Sequence, residues 1–272
     1  MTETSSSRRV GFFLIFLLFG FAIWVFPLTL QSLLLVFYQL FIIGIFFLLS
    51  LWSKRDEKMS IYFPVFYAFF MAAVATALAY PFGGGSTVGN KTYNLLISAV
   101  LVVGSILVLS RLSGAEFKSI YLQRGNLRQG LAIGWSVFII FLVTAVPASQ
   151  LFGAAPVTID QLIEWAPWLA LFIAANGLRE ELWFRGIFLK NYIPFLGESW
   201  SNILQAIVFG AAHFVFPITM LNLNGNLLLF ILTGLIGLLC GAVMIKTDSI
   251  LASILIHAGA DIPFLIAVFS LI

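Results

Sequence analysis

The sequence predicts an all-α, polytopic transmembrane helical bundle of about eight to nine spans, with any active site held among the helices. Three observations lead there. Hydrophobic residues make up 61% of the 272 and charged residues 9%, far from the balance of a water-soluble domain. The apolar residues are gathered in runs near the ~20 residues that a helix needs to cross a hydrocarbon core. The basic residues between those runs fall on one side once the runs alternate in direction.

Residues 1–9 are polar and end in Arg8-Arg9. Ser7-Arg8-Arg9 before an apolar run is faintly like a twin-arginine signal. However, the run is long (Val10 to about Pro27), no small-x-small cleavage site follows, and a second run (about Gln31 to Trp52) comes at once. The expectation is an uncleaved first helix. The polar break at Thr29–Ser32 is short, so this pair reads as two spans or as a re-entrant hairpin. Further runs at about 60–80, 94–110, 129–147, 165–189, 200–216, 227–245 and 249–271 bring the candidates to nine.

Alternation tests that arrangement. From a cytoplasmic N-terminus, Arg8, Arg9, Lys54, Arg55, Lys58, Arg111, Lys118, Arg124, Arg128, Lys190 and Lys246 fall inside and only Lys91 outside. Basic residues favour the cytoplasmic face, so the expectation is an integral, multi-pass protein with its N-terminus inside and its C-terminus outside. The net charge of +3 follows from that sidedness, and no nucleic-acid partner is expected. Cys240 is the one cysteine, which excludes intrachain disulfides and cysteine metal sites. It lies within the run Leu227 to Ile245 and reads as a packed, inert thiol.

Three connections stand out. Gly84 and Gly89 followed by Lys91-Thr92 approach a phosphate-binding loop, but Asn90 intervenes and no strand precedes, so a plain glycine loop is expected. Glu116–Arg128 mixes Phe117, Ile120, Tyr121 and Leu127 with Lys118, Arg124 and Arg128, as an amphipathic stretch on anionic inner-leaflet lipid would. Asp160–Trp168 reads as a short outer turn, with Trp165 and Trp168 at the interface.

The stretch Asn176-Gly177-Leu178-Arg179-Glu180-Glu181-Leu182-Trp183-Phe184-Arg185 puts four ionisable side chains into an otherwise apolar region. A charge near the bilayer centre costs at least ~2.5 kcal/mol, so each needs a partner or a function. At about 100° per residue Arg185 lies roughly 40° from Glu181 and about 140° from Glu180. Glu181 and Arg185 are expected to pair, leaving Glu180 without a local partner. The alternative is an ion network of both glutamates with Arg179 and Arg185.

The chain has two histidines, His213 in Phe209-Gly210-Ala211-Ala212-His213 and His257 in His257-Ala258-Gly259-Ala260-Asp261. Phe209 shares a helix face with His213, and His257 with Asp261, while the small residues between permit close helix approach. At ~1.5 Å per residue, Glu180, His213, His257 and Asp261 stand roughly 12–20 Å from the inner ends of their helices. That range is near the middle of a ~30 Å core, so the four can share one polar cavity. A carboxylate and an imidazole around a water form a general-base pair.

In order, Glu-Glu-x-x-x-Arg (Glu180, Glu181, Arg185), Phe-x-x-x-His (Phe209, His213) and His-x-x-x-Asp (His257, Asp261) resemble the CAAX prenyl protease / bacteriocin-processing (CPBP, or Abi) family of intramembrane proteases. The basic Tyr121–Arg128 segment is similar as well. The resemblance implies a catalytic core over 129–272, preceded by N-terminal spans and the basic segment over 1–128. It implies that Glu180 and His213 activate water, that His257 and its i+4 partner stabilise the oxyanion, and that Glu181, Arg185 and Phe209 support the site. The prenyl-endopeptidase branch has Asn where this chain has Asp261. An ionised aspartate cannot donate, so Asp261 is expected to orient His257, which donates. That departure bears on prenyl-protein specificity more than on hydrolysis.

The function so implied is endoproteolysis of a membrane-associated peptide or lipid-modified protein, with membrane lipid around the enzyme and no cofactor. In a metal-dependent version, zinc would bind Glu180, His213 and His257. A non-enzymatic alternative is bacteriocin immunity by partner binding. A proton-relay transporter is a third, against which stands the lack of an internal repeat.

Overall fold

The computed structural model describes residues 6–30, 32–214 and 223–272. Helices joined by short turns and loops make up the structure, with no strand among the described residues: α1 (Ser6–Trp24), α2 (Ser32–Arg55), α3 (Phe63–Ala79), α4 (Val88–Leu112), α5 (Leu127–Ser149), α6 (Ile159–Glu180), α7 (Leu189–Leu196), α8 (Glu198–Phe214), α9 (Leu223–Thr247) and α10 (Leu251–Ser270). A π-helical turn, Glu181–Gly186, continues α6. Seven segments, centred on α1–α5, α9 and α10, are long and apolar enough to cross a membrane. The chain is a helical membrane bundle.

The sixth and seventh expected spans, α6 and α8, fall outside those seven. The 17 residues of α8 rise only ~25 Å, and α6 carries Asp160, Glu164, Arg179 and Glu180. These are two of the helices that carry the polar cluster. Residues 215 and 216, the end of the seventh run, lie outside the described residues.

Small residues bring the helices together. Against α5, a Cβ on Gly259 of α10 would stand 3.0 Å from Phe138 Cα. Against α10, a Cβ on Gly177 of α6 would stand 3.1 Å from the Ile254 carbonyl oxygen. Close backbone approach of this kind is what glycine permits in membrane helices. Elsewhere the core is aromatic. Phe69 of α3 lies 5.1 Å from Phe46 of α2 and 5.0 Å from Phe188, while Trp24 of α1 stacks on Phe184 at 4.8 Å. First helix and π turn therefore share one packed cluster. The opposite faces, with Leu33, Phe37, Phe41 and Leu48 on α2 and Ile140 and Val143 on α5, are exposed, as lipid-facing residues are.

Four expectations are revised. The sixth span does not run from 165 to 189. Thr158 caps α6 in a reciprocal box with Gln161, so Asp160–Trp168 forms its first turns instead of a separate interfacial turn. Beyond the π turn the helix stops, and α7 is a separate piece. At the glycine loop, Thr87 accepts the Asn90 N–H and starts α4, so Gly89, Lys91 and Thr92 are helical.

Glu116–Arg128 is the fourth. Phe117–Ile120 forms one 3-10 turn, Leu127 and Arg128 already belong to α5, and Ile120 and Tyr121 are buried in protein. The α9–α10 junction holds the stretch: Tyr121 accepts the Ile250 N–H (3.1 Å), and the Asn126 N–H donates to Thr247 (2.7 Å). Lys190 of α7 closes the same corner, 2.6 Å from Asp248 and donating to the Lys118 carbonyl. Gly125 is required here, because its φ is +49° and a Cβ would stand 2.1 Å from the Thr247 carbonyl oxygen. Gly125→Ala should therefore destabilise the protein by ~1–3 kcal/mol. A melting temperature equal to that of wild type in the same detergent would refute this.

Candidate active site

Three helices and the π turn bring the ionisable residues together. The end of α6 carries Asn176, Arg179 and Glu180, the turn carries Glu181 and Arg185, α8 carries Phe209 and His213, and α10 carries His257 and Asp261. The Gly177–Ile254 approach lays the His257 stretch of α10 against the Glu180 turn of α6.

Glu180 is at the centre. Its Oε2 is 3.7 Å from His213 Nε2 and 3.5 Å from His257 Nε2, and no hydrogen bond within the protein reaches that oxygen among the described residues. Its Oε1 accepts from Arg179 Nη2 at 2.6 Å. Glu180 thus has a local partner, contrary to expectation: the neighbouring guanidinium folds back on it.

Each imidazole is held at Nδ1. His213 Nδ1 is 2.8 Å from the Phe209 carbonyl oxygen, which can only accept, so Nδ1 carries the hydrogen and Nε2 offers a lone pair in the neutral ring. His257 Nδ1 is 2.6 Å from Glu181 Oε1, the same oxygen that pairs with Arg185 Nη1. Glu181 therefore orients His257. Asp261, expected in that role, stands 3.6 Å from Nε2, too far for a hydrogen bond, and its Oδ2 accepts from Asn176 Nδ2 at 2.9 Å.

The expected Glu181–Arg185 pair forms across the π turn, with both side chains fully buried. The Arg185 guanidinium lies 4.3 Å over the Phe209 ring, which packs on His213 at 4.4 Å and on His257 at 5.6 Å. Phe209 is thus a wedge between both imidazoles and the cation.

Sequence reasoning did not select Asn176 and Ser98. Arg179 donates to Asn176 Oδ1 at 2.6 Å and to Ser98 Oγ on α4 at 3.0 Å. Asn176 stands one turn before Glu180 on the same helix face, a signal available in the spacing. Ser98 has none, being remote in sequence and ordinary in a membrane helix.

Three carboxylates face two guanidiniums and two imidazoles, so one proton held among these groups balances the charge. Charges in a low-dielectric interior persist through such pairing. Zinc at Glu180, His213 and His257 would need the three donors gathered on one point. Among the described residues no group of three or more His, Cys, Asp or Glu is placed to hold a metal ion. What the cluster offers is two acceptors, Glu180 Oε2 and His213 Nε2, 3.7 Å apart, with His257 Nε2 3.5 Å from the same carboxylate oxygen.

Residues 162–263 match the family model described as type II CAAX prenyl endopeptidase, Rce1-like. No curated protein and no solved structure matches the chain. The matched span begins in the first turns of α6, ends two residues beyond Asp261, and includes all three motifs in order. The stretch from 162 to 263 is therefore similar to the type II CAAX prenyl endopeptidases, and it is set in a helical membrane bundle.

Proposed function

We propose that the chain is an intramembrane endopeptidase in which Glu180 and His213 activate water to hydrolyse a peptide bond of a membrane-associated or lipid-anchored substrate. The observation that carries this reading is Glu180 Oε2, buried, without a protein hydrogen bond, and faced at 3.5–3.7 Å by two imidazole nitrogens. A water over those three atoms gives up a proton to the Glu180–His213 pair as its oxygen attacks the carbonyl carbon. Negative charge develops on the carbonyl oxygen, beside His257 Nε2, which donates when the ring carries both hydrogens. The proton taken from water then passes to the leaving nitrogen, and the carboxylate is restored.

The substrate class follows from place and family. A site among membrane helices meets peptide held at the bilayer, and a prenylated protein meets that condition. The reaction needs no metal, the N-terminus is cytoplasmic, and the C-terminus lies outside.

The test is turnover of prenylated and unprenylated peptides by purified protein in bilayers. His213→Ala, folded like wild type, should lose ~10²–10³-fold in kcat, and a chelator should change nothing. Chelator inactivation reversed by zinc would favour the metal-dependent version. If nothing is cleaved while cells carrying wild type or Glu180→Gln are equally protected from a bacteriocin, partner binding takes its place.

A further inference from the structure

We infer that Asn176 supplies a standing N–H to the carbonyl oxygen of the bound peptide, held for that purpose between Asp261 and Arg179; this rests on the hydrolytic reading above. The amide's orientation is not free. A carboxylate accepts only and a guanidinium donates only, so the amide nitrogen must face Asp261 and the amide oxygen must face Arg179. The distances agree with that, at 2.9 Å from Asn176 Nδ2 to Asp261 Oδ2 and 2.6 Å from Arg179 Nη2 to Asn176 Oδ1. A primary amide has two N–H bonds, and Asp261 takes one.

The place suits the second. Asn176 is 7% exposed and stands one turn from Glu180, and Arg179 Nη2 holds both Asn176 Oδ1 and Glu180 Oε1 at 2.6 Å. Asn176 Nδ2 and His257 Nε2 also flank one carboxylate, at 2.9 Å from Asp261 Oδ2 and 3.6 Å from its Oδ1. A carbonyl oxygen entering beside Asp261 meets both nitrogens.

Neither Asp261 nor His257 can do this unaided. Asp261 has no hydrogen to give when ionised. His257 has committed its Nδ1 hydrogen to Glu181 and donates through Nε2 only as imidazolium. The Asn176 amide donates in every protonation state. Asp261 and Arg179 act through it as positioning residues, fixing its plane so that no reorientation is needed as charge develops.

The experiment measures kcat and KM separately for Asn176→Ala, Asp261→Asn and the double variant, on whichever peptide wild type cleaves. Loss of one oxyanion donor costs about 10²–10³ in kcat, so Asn176→Ala should fall by that factor with KM within about threefold. Adding Asp261→Asn to Asn176→Ala puts an amide N–H back beside the same spot and should recover at least about tenfold, which a packing role for Asn176 does not predict. A folded Asn176→Ala with wild-type kcat, or a double variant no better than the single, would overturn the proposal.

If Asn176→Ala does not fold, wild type labelled with nitrogen-15 at asparagine decides. A peptide phosphonate, mimicking the tetrahedral oxyanion, should shift the Asn176 side-chain amide, and an unmoved amide would overturn it. Cleavage undiminished in Glu180→Gln would instead defeat the hydrolytic reading itself.

Discussion

Replacing Glu180 with glutamine should leave a folded protein that cleaves peptide at about 10⁻³ to 10⁻⁴ of the wild-type rate. Glutamine has nearly the same shape, and its carbonyl oxygen can still accept from Arg179, which also keeps Asn176 and Ser98. What disappears is the basic oxygen that faces both imidazoles at 3.5–3.7 Å. General-base catalysis is worth about 10²–10⁴ in rate, and this base is central to the proposed step, so the upper part of that range applies. KM should change little, because a substrate carbonyl gains its contact with activated water only as the reaction proceeds. Single-turnover cleavage by matched, folded samples in bilayers measures it. Equal rates from the two proteins would remove Glu180 from the chemistry, and with it the proposed mechanism.

The second large effect is on stability. Arg185→Leu should destabilise the protein by ~3–5 kcal/mol, the usual cost of leaving one partner of a buried ion pair alone. Arg185 and Glu181 are fully buried, and the guanidinium also covers the Phe209 ring. Without it Glu181 loses its one cationic side-chain partner among the described residues and is left with His257 at 2.6 Å and the neutral Cys240 thiol. In detergent this corresponds to a fall in melting temperature on the order of 10 °C. The double variant Glu181→Leu/Arg185→Leu separates stability from function. It removes both charges, so most of the lost stability should return, while activity stays low because His257 no longer has an acceptor at Nδ1. A melting temperature for Arg185→Leu within ~3 °C of wild type would show that the pair contributes little to the fold.

These expectations rest on different kinds of information. The bundle was legible in the sequence because its cause is local. The length of a crossing and the cost of charge in hydrocarbon are read from a run of residues without knowing its neighbours. The same holds for the Glu181–Arg185 pair, since i,i+4 spacing describes one helix. The meeting of Glu180, His213, His257 and Asp261 was legible in outline, because their depths along separate helices are similar.

Which atom meets which could not be read that way. Helical periodicity put Asp261 on the face of His257, yet His257 turns its Nδ1 to Glu181, 76 positions away in sequence, and Asp261 turns to Asn176. Glu180 took a partner from the adjacent Arg179, which a count of degrees around a helix excludes but a long side chain reaches easily. The basic segment before α5 looked amphipathic from its composition, but Ile120 and Tyr121 are buried in protein, Tyr121 against the α9–α10 junction, while Leu127 stays exposed.

By itself the sequence determined that this chain is a helical membrane protein, which residues could carry charge within it, and on which face of each helix they lie. Only the tertiary structure decided how those faces are joined. A helix's own geometry fixes direction about one axis, whereas contact between side chains depends on how two axes cross. Here that crossing is set by close approaches such as Gly177 to Ile254 and Gly259 to Phe138, between segments more than 70 residues apart.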